Sequence, residues 1–399
     1  MKRIDIKNFI NILFSIFFIP ISYLFPKGNI VILGTYSRHK YCENTKYLFE
    51  YLHNKEFQVF WITDNKIVMK HLDRMGMSYI GIKSPLKMLW ICLRAKIIVD
   101  SGNNFFNPFN ILSTKKTIKI TTSHGNGPKV TVSRFHPPNN YKIGLTQIQN
   151  LYKFDYVNYP SSFSENAIGK RVHILPNNKI INLGYPRCDN YFSDSFVKEA
   201  YEKKQISMSL SKKISKKSKI ILYTPTWRPY DYEFPLSLIV EDFIALDNWL
   251  KQNSYFLFFS VHTAQKPKNI PKSLKNIINI NQDLPLYDTN EFMLEADVLL
   301  NDYSTTSTDM AILKRPQLFF MPDYKKYSDE SGFIEDYRKS LPGKEIFSLE
   351  ELKYNLENIF SNQYDESLFE TKRKELLRKY YDHYEGNSCE KFYSFLKNL

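Results

Sequence analysis

From Ile30 to Phe320 the chain alternates short apolar runs with longer mixed ones, and it does so in two series. The first runs IVILGTY (30–36), NTKYLFEYLHN, FQVFWIT (57–63), HLDRMG, SYIGI, SPLKMLWICLRA, KIIVDSG, TIKITTSHG and FDYVNYPSSFSENAIGK. The apolar runs are rich in Ile, Val and aromatic residues and finish on small polar ones, so they predict strands, with helices between them. INLGYPRCDNYF (181–192) predicts a loop leading into a helix. The second series starts at KIILYTPTW and continues through LIVEDFIALDNWLKQN, YFLFFSVHT, IINI, EFMLEADVLLNDYS, STTSTDMAILK and PQLFFMP. Strands separated by helical crossovers pair in parallel, so the fold class is α/β with doubly wound sheets.

A chain of 399 residues is longer than one core usually supports, and the two series divide it. The expected units are a membrane-associating segment (1–27), an N-terminal Rossmann-like domain (28–210), a basic linker SKKISKKSK (211–219) and a C-terminal Rossmann-like domain (220–399). The two domains are expected to face each other across a cleft. No GxGxxG or Walker lysine motif occurs, so neither a dinucleotide oxidoreductase nor a P-loop NTPase has motif support.

Charge narrows the partners. Lys and Arg number 55 against 41 Asp and Glu, a net +14 that favours polyanions such as nucleic acid, anionic lipid or phosphorylated substrates. No nucleic-acid motif accompanies it, and nucleic acid is not an expected partner. The cysteines Cys42, Cys92, Cys188 and Cys389 form no CxxC pair, so neither a zinc site nor a disulfide framework is indicated and a reducing compartment is expected. The N-terminal run from Phe9 to Phe25 is broken by Asn11, Ser15 and Pro20, which makes it marginal for a span of about 20 residues. A signal peptide would need a small-residue cleavage site, and none follows. The expectation is a monotopic helix in the interface, held by Lys2, Arg3 and Lys7 against anionic lipid on the cytoplasmic face of the membrane. The Lys-rich stretch 211–219 is open to a similar contact or to simple solvation.

Chemistry concentrates where strands end, because ligands of open α/β sheets sit beyond the carboxyl ends of the strands. TSHGNGPKV (122–130) places His124 on a Gly-rich turn with room for a ligand, where an imidazole can act as general base; capping of the turn is the alternative. In the second series YTPTWRPY ends on Thr226, Trp227 and Arg228, SVHT on His262, and LLNDYSTTSTDMAI on Asp302 with Ser304 and Thr305 opening a helix. Hydroxyls at a helix N-terminus can cap it or cradle a diphosphate without a metal.

These residues carry a resemblance. EADVLLNDYSTTSTDMAILKRPQLFFMPDYKKYSDESGFIEDYRKSLPG is similar to the signature region of the CDP-glycerol glycerophosphotransferases, the primases and polymerases of teichoic acids and related capsules. HGNGPK resembles their HGTPLK, YTPTWR their APTWR, and LGYPRCD their GYPRND, in the same order over roughly 30–350. The resemblance implies the GT-B fold, with an acceptor-binding N-terminal and a CDP-donor-binding C-terminal domain. It implies His124 as catalytic base, with Gly125, Asn126, Gly127, Pro128 and Lys129 on the same substrate-binding loop. It makes His262 a second catalytic histidine and Arg187 a phosphate contact. Thr226, Trp227, Ser304, Thr305 and Asp309 fall to the donor site, which Arg228 and Asp302 join from their positions at the strand ends. No cofactor or metal is implied; the donor is a CDP-polyol such as CDP-glycerol, and the acceptor a lipid-linked glycan or polymer.

The chain departs from the family pattern at Asn126, at Thr263, at Thr305 and at the pair Ser307–Thr308, which leaves the transferred polyol open. Two other readings stand beside this one. A GT-B glycosyltransferase using a nucleotide sugar shares the cleft, and a membrane-bound lectin-like module would have lost turnover.

Overall fold

A computed structural model describes residues 23–35, 39–81, 83–102, 116–123, 125, 127–129, 153–226, 228, 235–260, 270–271, 273–280, 284–383 and 385–399. Each series builds one sheet. The first holds β1 (Ile30–Gly34), β2 (Gln58–Ile62), β3 (Tyr79–Ile80), β4 (Ile97–Asp100), β5 (Ile118–Thr121), β6 (Tyr156–Asn158) and β7 (Ile180–Ile181), in the order β3-β2-β1-β4-β5-β6-β7. The second holds β8 (Lys219–Thr224), β9 (Tyr255–Phe259), β10 (Ile277–Asn279), β11 (Val298–Asn301), β12 (Gln317–Phe319) and β13 (Lys344–Glu345), in the order β10-β9-β8-β11-β12-β13. All these pairings are parallel, so each sheet reverses its winding once, between β1 and β4 and between β8 and β11. Both reversals create the crevice in which such sheets bind ligands.

The helices are α1 (Glu43–His53), α2 (Lys66–Arg74), α3 (Pro85–Arg94), α4 (Asp194–Lys203), α5 (Gln205–Leu210), α6 (Phe243–Gln252), α7 (Thr289–Glu295), α8 (Thr306–Ile312), α9 (Tyr324–Glu330), α10 (Leu349–Phe360), α11 (Ser367–Tyr380) and α12 (Ser388–Lys397). They cover both faces of the first sheet, which explains why its inner strands read as unbroken apolar runs. Val31, Leu33, Ile97 and Val99 pack against Leu48, Phe49 and Leu52 of α1, while Ile30, Ile32 and Ile98 pack the other way on Met88 and Ile91 of α3. Helix starts follow the side chains available: Asn65 caps α2, Asp242 caps α6, and Asp288 forms a capping box with Glu291 on α7. The predicted Ser cap after FDYVNYP is present on Ser161, yet only Ser162–Ser164 is α-helical and Glu165–Lys170 continues as a π-helix. All four cysteines are free and buried.

Packing moves the expected domain limits. The stretch 211–219 is not a free linker: Ile214 is buried, and Lys219 already pairs with Tyr255 as the start of β8. Tyr185, Cys188 and Tyr191 belong to the same core as Ile220 and Leu222 of the second sheet and Met310 of α8, so the chain changes sheets near Gly184, before α4 and α5. At the far end α12 returns, and its Phe392 and Leu396 are buried with Val31, Leu48 and Phe49. Composition marked the linker, but the apolar contacts mark the unit. The expected N-terminal helix lies outside the described residues, and no described helix is long and apolar enough to cross a membrane.

Candidate active site

At the winding reversal of the second sheet, β8 and β11 end side by side. Thr224 donates to Asn301 Oδ1 at 3.0 Å and shares a 2.7 Å hydrogen bond with Thr306. One residue beyond β11, the Asp302 carboxylate accepts from the Thr226 amide at 2.9 and 3.1 Å, from the Tyr303 amide, and from Arg228 Nη1 at 2.6 Å. Arg228 directs its remaining fork at Asp323, with Nε and Nη2 both at 2.8 Å, and its guanidinium lies over the rings of Tyr303 and Tyr327. Both the Arg228 and Asp302 side chains have zero solvent exposure. A buried charge survives only when paired, and these two are paired with the protein. They were expected as donor contacts; the structure makes them the brace that fixes the loop beyond β8. Thr226 differs, because its hydroxyl is buried and has no hydrogen-bond partner, and Ser304 and Thr305 are half-buried at the start of α8.

The Gly-rich loop leaves β5 and lands on this strand end. Ser123 takes a φ of +56°, its carbonyl accepts from Asn44 Nδ2 at 2.9 Å, and its hydroxyl donates to the Asn158 carbonyl. A Cβ on Gly125 would stand 2.7 Å from Thr305 Oγ1, and one on Gly127 2.9 Å from Thr305 Cγ2. The glycines are there because Thr305 occupies their side-chain space. The exit is fastened too: Ile334 N donates to the Pro128 carbonyl at 2.8 Å, and Lys129 bridges antiparallel to Phe333. Lys129 is half-buried and faces Asp302 and Arg228; burial holds its amine down to about 8, with Asp302 pulling the other way and Arg228 adding repulsion. His124, Asn126, Trp227 and His262 lie outside the described residues.

Arg187 and Asp309, expected as a phosphate contact and a donor residue, meet each other. Arg187 Nε and Nη2 reach Asp309 Oδ2 at 3.0 and 2.9 Å, and Tyr381 donates to the other carboxylate oxygen. The pair joins the GYPR segment to α8. Residues without any motif signal complete the junction. Asn44 accepts from the Arg187 amide at 3.3 Å, and Glu43 lies 3.6 Å from Arg187 Nη1. Asp323 and Asp189 did lie inside quoted motifs without an assigned role; Asp189 accepts the amides of Ser388 and Cys389 and so caps α12. Among the described residues no three His, Cys, Asp or Glu side chains gather as metal ligands would.

The family model for CDP-Glycerol:Poly(glycerophosphate) glycerophosphotransferase matches residues 16–398. The chain belongs to that family. As a glycerophosphotransferase-family member it is an enzyme of the transferase class. The teichoic acid glycerol-phosphate primase of Bacillus subtilis (strain 168) is 27% identical over 324 residues, 79% of this chain and 78% of the relative. The teichoic acid poly(glycerol phosphate) polymerase of the same organism is 29% identical over 354 residues, 85% of this chain but 45% of that protein, so the chain spans less than half its length. A structure of the wall teichoic acid polymerase TagF superposes with a TM-score of 0.74 over 97% of this chain and 92% of that one, at 20% identity, and so shares its fold.

Proposed function

We propose that this glycerophosphotransferase takes glycerol phosphate from CDP-glycerol and joins it to a hydroxyl of a membrane-linked glycan or polyol-phosphate acceptor, releasing CMP, in teichoic acid or capsular polymer synthesis. The observation that carries this reading is the contact of Gly125 and Gly127 with Thr305, which brings the loop bearing His124 against the hydroxyl-lined end of β11. In the proposed step His124 takes the proton of an acceptor hydroxyl as its oxygen bonds to the β-phosphorus. The bond from that phosphorus to the bridging oxygen breaks, and CMP leaves with the electron pair. Thr226, Ser304 and Thr305 offer hydroxyls to the diphosphate, while Lys129 and His262 supply positive charge as it builds on the leaving group. Asp302, Arg228, Arg187 and Asp309 hold these groups in place.

A donor screen tests the reading: CDP-glycerol, CDP-ribitol and a nucleotide sugar, each with a soluble oligo(glycerol phosphate), followed by CMP release and product mass. Turnover with CDP-glycerol, lowered about 10²–10⁴-fold by His124→Ala, is expected for a lost general base. Turnover with the nucleotide sugar alone overturns it.

We also propose a peripheral position on an anionic membrane surface. Tyr23, Leu24, Leu86 and Trp90 are exposed together, and Phe25 meets Trp90 edge-on at 5.9 Å. Arg94 lies over Trp90 and Lys116 over Tyr23. Apolar rings rimmed by cations suit the headgroup layer of an anionic bilayer.

A further inference from the structure

Asn44, the second residue of α1, is fully buried, and neither end of its amide serves its own helix. Nδ2 donates to the Ser123 carbonyl at 2.9 Å, and Oδ1 accepts the Arg187 amide at 3.3 Å. Asparagine is a weak helix former, and Cys42, at the N-cap of α1, makes no side-chain cap bond. The start of α1 is fixed instead from the second sheet, because the Glu43 amide donates at 2.8 Å to Asp288, the carboxylate that also caps α7. Asn44 therefore stands on a braced turn and holds two segments that are far apart in sequence.

One of the residues it holds is strained. Ser123 keeps φ at +56°, a left-handed conformation that costs an L side chain and spares glycine. Strain of this kind persists only where the surroundings over-determine it. The Ser123 amide donates to Thr121 Oγ1 at 3.2 Å, its hydroxyl donates to the Asn158 carbonyl at 3.1 Å, and its carbonyl takes a second bond, at 3.2 Å, from the adjacent Thr122 hydroxyl. Asn158, also fully buried, accepts the Leu183 amide at 2.9 Å and donates to the Gly184 carbonyl at 2.8 Å. Two buried asparagines thus tie Ser123 to the segment 183–187, whose Arg187 grips Asp309 on α8. Two residues on, Gly125 packs against Thr305 at the N-cap of the same helix. Both sequence neighbours of His124 are therefore referred to α8, one by polar contacts and one by close packing.

We infer that Asn44 is a positioning residue for glycerophosphotransfer: it locks Ser123 in the left-handed turn that launches the Gly-rich loop, and keys that turn to the Arg187–Asp309 pair on α8. The inference rests on the transfer reading above, in which the residue following Ser123 takes the acceptor proton. A proton acceptor misplaced by about 1 Å loses rate without loss of donor contacts, because near-attack geometry and ground-state binding are separate. Truncating Asn44 takes only the amide contact from Arg187. The Arg187 fork stays on Asp309, and α8 stays in place for the donor.

The test is steady-state kinetics of the full chain with CDP-glycerol and a soluble oligo(glycerol phosphate), beside calorimetric binding of CDP-glycerol. Asn44→Ala is expected to lower kcat about tenfold, the worth of one hydrogen bond, with the donor Kd unchanged within about twofold. Glycine adopts the left-handed turn without a brace, so Ser123→Gly in the Asn44→Ala background should restore kcat about threefold or more. Ser123→Ala removes the same hydroxyl but keeps the strain, and should restore nothing. The role is overturned by a parental kcat in Asn44→Ala, by a donor Kd that weakens in step with kcat, or by equal effects of the glycine and alanine substitutions. An Asn44→Ala chain that neither unfolds cooperatively in urea nor binds CDP-glycerol makes Asn44 a folding residue, and overturns the role as well. A parent that fails to bind CDP-glycerol at all instead overturns the functional reading beneath it.

Discussion

Arg228 shows what a motif conveys and what it leaves out. YTPTWR placed it at a strand end, and it lies just beyond β8. Its role depends on Asp323, 95 positions later, and on the stacked Tyr303 and Tyr327 rings, none of which the six residues of the motif can reveal. Arg187 and Asp309 repeat the pattern: one was expected as a phosphate contact and the other as a donor residue, and neither as the other's partner. The brace makes a discriminating prediction. A lysine has no planar fork and cannot serve Asp323 twice while bonding Asp302, so Arg228→Lys should lose about 3–5 kcal/mol in urea unfolding, as broken buried pairs do. Donor affinity should weaken with it, because the Thr226 amide and Asp302 lose their anchor. A variant of parental stability with weakened CDP-glycerol binding would make Arg228 a direct ligand contact.

At the scale of elements, the strands were the most legible part. Each inner strand is buried on both faces, so its apolar run carries no periodic ambiguity, and small residues mark its end. Less legible were the elements decided by contacts far apart in sequence. Ring packing of Tyr159 against Gly169, whose Cβ would stand 2.9 Å away, accompanies the π-helix, and the return of α12 to the first sheet needs the Asp189 cap. The Gly-rich loop sits between these cases. Its glycines signalled space for a ligand, but the structure fills that space with Thr305. Gly127→Ala should therefore push against Thr305 Cγ2 and slow CMP release, while Thr305→Ser removes that methyl. The double variant should recover activity beyond additivity, with a coupling of about 1–2 kcal/mol of activation free energy. Strictly additive losses would mean that the loop does not bear on α8 in the working enzyme.

At the scale of the whole molecule, the two sheets meet through ionic and backbone contacts. Lys46 of α1 pairs with Glu291 of α7 at 2.7 Å, and the Tyr41 amide donates to the Pro285 carbonyl. The face formed by α3 and residues 23–25 presents a different surface, apolar at its centre and cationic at its rim. Its attachment to the body is firm, because Gly28 N donates to the Arg94 carbonyl at 2.9 Å and Lys27 reaches the Leu93 carbonyl and the Thr117 hydroxyl. Deleting residues 1–22 should therefore leave this face in place. Leu86 and Trp90 are 81% and 52% exposed, and burying side chains of this size in the interface contributes about 1–2 kcal/mol each. With Lys87 and Arg94 alongside, cosedimentation with vesicles containing anionic lipid should drop about tenfold or more in Leu86→Glu/Trp90→Glu, and high salt should weaken the parent's binding by screening its cations. CDP-glycerol affinity in solution should not change, since neither residue touches the strand ends. Equal sedimentation of parent and double variant, in the chain lacking 1–22, would remove this face from the membrane contact.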